Sequence, residues 1–272
     1  MRYSPAMNRT AACLLLVVAV CADAITQQLT PPSKAELEVI STRGRMLYES
    51  DEAAWHSTDA VQAIHPDQSL LRGYFARKID RGWEVAYGRL NESGDKFLVA
   101  YLATQSSAQD KFTVETFTPP KEDAGFFLSA ARARVAALNE LGSTSRPYNL
   151  ATIPAEGGRF YVYLYPAQTK TGVYPIGGDV RYLFSNDGTS ILEKHEMHKS
   201  ILDFDTHGAP TGSQVYAGFH THVLSDLPED TDVFHVLTQE PHRPEMVRTE
   251  HFLYTIDDKG TILIAEKYKK KK

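Results

Sequence analysis

Cysteine is almost missing: the 272-residue chain has two, Cys13 and Cys21, and both fall within the first 24 residues. Once that segment is removed no thiol remains. A disulfide framework, a cysteine-ligated zinc ribbon, an iron–sulfur cluster and a cysteine nucleophile are then excluded. An excess of positive charge is also lacking, since 29 Lys and Arg face 34 Asp and Glu for a formal net charge of −5. Without a basic face there is no general electrostatic reason to expect a nucleic-acid partner. Long apolar runs are absent too. The longest, from Ala11 to Ala22, falls short of the roughly 20 residues that span a bilayer, so no integral membrane segment is expected in the mature chain. No internal repeat occurs, and no glycine-rich loop precedes a helix: Gly157-Gly158 and Gly177-Gly178 read as turns at strand ends. Ser200 and Ser225 lack the context of a nucleophile elbow.

The chain begins with features of a secretory signal. Arg2 and Arg9 flank the start of the apolar run, and Ala22-Asp23-Ala24 offers small residues for cleavage after Ala24. A secreted or periplasmic protein is the expectation. Lipidation at Cys21 is disfavoured by Val20, which stands where a small residue is needed. At the other end, Lys269 to Lys272 read as a solvated tail. Asn91-Glu92-Ser93 fits a glycosylation sequon and equally a hairpin turn, and the turn is the preferred reading.

The periodicity predicts an α+β protein. Ser33-Lys34-Ala35-Glu36 has capping-box spacing and predicts a helix over 34–48. Short aromatic and β-branched runs at 83–87, 97–101 and 112–117 then predict an antiparallel meander. Thr118-Pro119-Pro120 punctuates the chain and suggests a division into a helix-and-meander domain, 25–120, and a C-terminal domain, 121–266, ahead of a basic tail at 267–272. Phe126, Phe127, Ala130, Val135, Leu138 and Leu141 recur at helical spacing, with Gly142 as a C-cap. Strands are expected at 160–165, 180–184, 191–202, 215–222, 252–256 and 261–265, the last two joined by a hairpin at Asp257-Asp258-Lys259-Gly260. Together these predict a C-terminal mixed α/β domain with a central sheet flanked by helices.

One local feature points to chemistry. Eight of the ten histidines lie between His195 and His251. In Gly218-Phe219-His220-Thr221-His222, strand alternation puts Val215, Ala217, Phe219 and Thr221 on an apolar packing face, and both imidazoles on the other. Histidines at i and i+2 on a strand end present adjacent nitrogen ligands. Asp226-Leu227-Pro228-Glu229 predicts a helix start with Asp226 as N-cap, followed by a buried stripe of Val233, Val236 and Leu237. Asp232 and His235 would share another side of that helix. Glu196 and His198 would share a strand face and could serve the same ion or none. Taken singly, His195, His198, His207, His242 and His251 read as surface or hydrogen-bonded structural residues.

At His220, His222 and Asp232 the chain resembles the JAB/MPN metalloprotease family, which couples His-X-His on a strand end to an aspartate on the next helix. The resemblance covers residues 123–266. It implies a zinc ion held by His220, His222 and Asp232 with water as fourth ligand, and a general-base glutamate for which Glu156 is the best-placed position. The implied activity is hydrolysis of a peptide or isopeptide bond, with a peptide or protein as substrate. Val223 stands where the family has proline, and Glu229 where it has the serine that stabilises the oxyanion. The spacing to Asp232 is about one residue short. These departures support a second reading, a non-catalytic envelope protein with a binding or assembly role.

Overall fold

The computed structural model describes residues 30–106, 110–206 and 215–267. The expected signal segment, both cysteines, His207 and Lys269 to Lys272 lie outside them.

Helix α1 spans Lys34–Ala63 and starts on the predicted capping box: the Glu36 amide donates to Ser33 Oγ, and the Ser33 amide donates to Glu36 Oε2 at 2.8 Å. It runs 15 residues beyond the expected end at 48, because small residues at helical spacing (Ser50, Ala53, Ala54, Ser57) continue its buried stripe. Four antiparallel strands follow in the order β1 (Gly73–Ile79), β2 (Gly82–Leu90), β3 (Phe97–Gln105) and β4 (Phe112–Asp123). The meander is therefore present and gains a strand, β1, ahead of the three predicted runs. Asn91 Oδ1 accepts the Asp95 and Lys96 amides, so this residue organises the β2–β3 turn. Pro119 and Pro120 lie inside β4, at the sheet edge, where a missing amide hydrogen costs no ladder bond. The described residues from Pro32 onward form one compact unit.

Helix α2 spans Phe126–Leu141, and Gly142 follows with φ 72°, a left-handed conformation suited to glycine. Its buried face differs from the predicted stripe: Val135 and Leu138 are exposed, while Ala130, Ala133 and Ala137 are buried. Alanines prevail because α2 packs on two sheets at once, with Ala130 and Ala131 against Phe97 and Val99, and Ala133 and Ala137 against Val162 and Tyr182.

The second half builds three sheets where one central sheet is expected. Strands β5 (Tyr148–Pro154), β6 (Phe160–Pro166), β8 (Val180–Phe184) and β9 (Ile191–Glu196) form an antiparallel sheet in that order. β7 (Val173–Ile176) pairs with β10 (Leu202–Asp205). β11 (Gly218–Thr221), β12 (Glu245–Arg248), β13 (Phe252–Ile256) and β14 (Ile262–Lys267) form the last sheet. The predicted strand over 191–202 breaks at Met197, which leaves the ladder and is buried, so His198 sits in a connection. β11 and β12 run parallel. Parallel neighbours need a crossover, and α3 (Asp230–Thr238) supplies it.

α1 and α3 cross closely at Gly44, where a Cβ would stand 2.5 Å from the Asp230 carbonyl oxygen and 2.5 Å from Val233 Cβ. Beneath the crossing Asp230 is fully buried. It accepts from Arg43 Nε at 2.9 Å and Tyr163 Oη at 2.7 Å, and pairs with Arg181. The arrangement fixes α3, and with it the residues of its first turn.

Candidate metal centre

The β11–α3–β12 unit brings chemistry to the carboxyl end of its first strand, where ligands gather in parallel α/β arrangements. His220 lies in β11, His222 follows its end, and Asp232 sits in the first turn of α3. The helix begins three residues later than predicted: Glu229 is the N-cap and Asp232 the N3 residue. The Glu229 amide donates to Asp232 Oδ2 at 2.7 Å, so the capping interaction orients the carboxylate. Strand alternation holds, but the packing faces are reversed. His220 and His222 are buried, whereas Phe219 is half exposed and Thr221 is exposed. Buried carboxylates on neighbouring elements receive the imidazoles, which lets the polar face turn inward.

The three expected ligands converge, and His198 joins them. Single ligand atoms of His198, His220, His222 and Asp232 all lie within 4.8 Å of one another, a group of metal-ligating type among the described residues. His198 Nε2 and His220 Nε2 are each 3.0 Å from Asp232 Oδ1, and His222 Nε2 is 3.2 Å from Oδ2. His222 Nε2 lies 2.9 Å from His198 Nε2 and 3.1 Å from His220 Nε2. A tetrahedron with bonds of about 2.0–2.1 Å has edges of about 3.3 Å. Individual contacts of 2.9–3.2 Å lie near such an edge, the four donors together fall within 4.8 Å of one another, and His198 is a fourth member that the sequence reading did not include in its ligand set.

The outward nitrogens reinforce this. His198 Nδ1 is 2.8 Å from Asp179 Oδ1, His220 Nδ1 is 2.8 Å from Glu245 Oε1, and His222 Nδ1 is 2.8 Å from the Leu227 carbonyl oxygen. A carbonyl oxygen only accepts, so His222 donates from Nδ1. Asp179 and Glu245 offer acceptors to the outward nitrogens of His198 and His220 in the same way. The three Nε2 atoms and the Asp232 carboxylate are then left crowded together, and a cation, metal or proton, between them relieves that crowding. The electrostatics agree. Burial lowers the affinity of His198 for a proton, but Asp179 and Asp232 outweigh it and raise its pKa to about 11. For His220 burial is likewise overcome, by Asp232 and Glu245, and its pKa rises to about 9. Burial would raise the Asp232 pKa, yet His222, His198 and His220 hold it well below the usual carboxylate range.

Two glycines make room for the centre. A Cβ on Gly177, whose φ is 90°, would meet the Ser200 carbonyl oxygen at 2.0 Å, so glycine lets the His198 connection approach. A Cβ on Gly218 would meet Glu245 Oε2 at 1.7 Å, in cross-strand register with it. Asp179 and Glu245 were missed by sequence reasoning. The available signals were a Gly-Gly-Asp step entering a strand and a lone glutamate heading a short apolar run.

The other predicted residues lie elsewhere. Glu156 stands exposed in the 3-10 turn Glu156–Gly158 between β5 and β6, outside the ligand group. Glu196 is exposed and pairs with Lys194 at 3.5 Å. His195 bonds Glu229 at 2.9 Å, and His251 bonds Asp226 at 2.6 Å. His235 is buried against Phe204, and burial lowers its pKa to about 4. Beside His222 a groove of about 560 Å³ runs along Thr221–Asp226 and Arg248–Glu250. No described helix is long and apolar enough to cross a membrane. No protein-family model, curated protein or solved structure matches this chain.

Proposed function

We propose that the protein is an exported zinc protein whose centre is His198, His220, His222 and Asp232, and that this centre serves the hydrolysis of a peptide or isopeptide bond. One observation carries the metal reading: three imidazoles and a carboxylate bring ligand atoms within 4.8 Å of one another, each imidazole backed by an acceptor at Nδ1. An all N/O donor set of this size suits zinc.

The hydrolytic part rests on the likeness of His220-Thr221-His222 and Asp232 to the JAB/MPN motif, and on the groove that reaches His222. A bound divalent ion would supply Lewis acidity toward a carbonyl and toward water. The chain's own residues hold the donors. Ser225 Oγ donates to the Leu227 carbonyl at 2.7 Å and so steadies the loop that orients His222. Glu156 receives no step, because none of its described bonds reaches the centre.

A second reading, a binding or assembly module clamped by the ion, is favoured by burial: the four donor side chains are at most 9% exposed. Closed four-ligand shells are the pattern of structural zinc. Elemental analysis of the tag-free mature chain, paired with turnover of an unstructured, isopeptide-crosslinked casein, separates the two. One zinc equivalent with chelator-sensitive cleavage supports hydrolysis; one equivalent without cleavage leaves the clamp. No metal after zinc incubation and desalting overturns both.

A further inference from the structure

The strand that carries His220 is the outer strand of its sheet. Toward β12 it bonds through alternate residues: the Gly218 amide donates to the Pro244 carbonyl at 2.9 Å, and the His222 amide to the Arg248 carbonyl at 2.7 Å. By the alternation of a parallel ladder, Phe219 and Thr221 direct their N–H and C=O groups to the opposite side, where the described residues place no further strand. Edges of this kind are usually blunted by charge or proline. β14, at the far side of the same sheet, carries Glu266 and Lys267, whereas β11 has neither charge nor proline. The flanking surface is apolar: Tyr216 is 76% exposed, Phe219 50% and Val223 75%. The groove beside His222 begins where β11 ends.

We infer that this edge is a docking site for an extended peptide, which adds as a strand beside Phe219 and Thr221 and places its apolar side chains on Tyr216, Phe219 and Val223. Alternating N–H and C=O groups with no partner among the described residues are complementary to another extended backbone, whose spacing a small molecule cannot match, and an extended peptide also supplies side chains for the apolar neighbours. The apolar neighbours select alternate side chains. The docked strand leads into the groove at His222, so the inference deepens the hydrolytic reading and rests on it for the fate of the peptide. The docking itself is read from the sheet edge alone.

The test uses the zinc-incubated mature chain and a fluorescein-labelled decapeptide of alternating valine and threonine. A second decapeptide is identical but N-methylated at alternate amides. Anisotropy should show micromolar binding of the first and at least tenfold weaker binding of the second. Amide exchange of Phe219 and Thr221 should slow on binding. Phe219→Lys, which puts a charge on the exposed edge and leaves the backbone around the donors intact, should weaken binding at least tenfold at unchanged zinc content. Equal binding of both peptides, or none of the first, overturns the inference. Zinc content measured on the same samples judges the metal reading separately: zinc without peptide binding removes only the docking edge, and binding without zinc removes only the centre.

Discussion

At the scale of single residues, the account turns on His198. It was the least conspicuous of the ligands, because an unbroken strand over 191–202 would have left it one of several alternating polar residues. Its position comes from a break at Met197 and from the space at Gly177, neither of which has a periodic signature. His198→Ala should therefore abolish stoichiometric zinc binding, whereas His195→Ala, three residues away, should leave it at one equivalent in elemental analysis. Glu245 acts through His220. Glu245→Gln should weaken zinc affinity about 10–100-fold in competition with a chromogenic chelator, the usual cost of losing a carboxylate behind a histidine ligand. A different residue sets a pH dependence far from the centre. Burial raises the pKa of Asp51 to about 6, against the hydrogen bond it accepts from Tyr165 at 2.6 Å. The folded state thus binds this proton more tightly than the unfolded state. The associated stabilisation is full below about pH 4 and is lost as pH rises through about 6. Asp51→Asn, whose amide oxygen can still accept from Tyr165, should flatten the denaturation midpoint between pH 4 and 7. It should raise stability at neutral pH by about 1–3 kcal/mol.

Among the elements, those with local signals were legible and those set by tertiary contact were not. The capping box at Ser33 and Glu36, the glycine after α2, and the strands at Val180–Phe184 and Phe252–Ile256 appear where their residues predict. The length of α1 was not legible, since the small residues of its second half, Ala53 and Ser57 among them, carry little apolar signal until the meander is seen lying against them. The start of α3 was misread by three residues, because Asp226 and Glu229 offer a capping box as plausible as the one used by Glu229 and Asp232. The same pattern explains the inverted packing of β11: alternation tells which residues share a face, and only the carboxylates of Asp179, Asp232 and Glu245 decide which face is inside. The α1–α3 crossing can be tested directly. Gly44→Ala should destabilise the fold by about 1–3 kcal/mol in urea titration, the range for overpacking a close contact. The obstructing atoms include the Asp230 carbonyl, which a rotamer change cannot move.

For the whole molecule, the centre joins three successive segments, the β9–β10 connection, β11 and α3, that belong to different sheets or to a helix and are held together only in the folded chain. A ligand that binds only the folded state stabilises it by mass action, about 4 kcal/mol at a thousandfold excess over Kd. At roughly 2–4 °C per kcal/mol for a chain of this size, removal of zinc with a chelator should lower the melting temperature by about 8 °C or more. The same treatment should leave a His198→Ala chain unchanged. The sequence motif singled out three residues of the group, and it left His198 to be found in the structure. How an ion there would be used turns on two features, because a full set of buried donors favours a clamp and the adjoining groove favours chemistry.

The most direct measurement is zinc X-ray absorption on the tag-free mature chain after zinc incubation and desalting. The account predicts four light-atom neighbours at about 2.0–2.1 Å, with outer-shell scattering that fits three imidazoles, and no stoichiometric zinc edge in the desalted His198→Ala chain. A six-coordinate shell of oxygen without imidazole scattering, or a spectrum unchanged by His198→Ala, would contradict it.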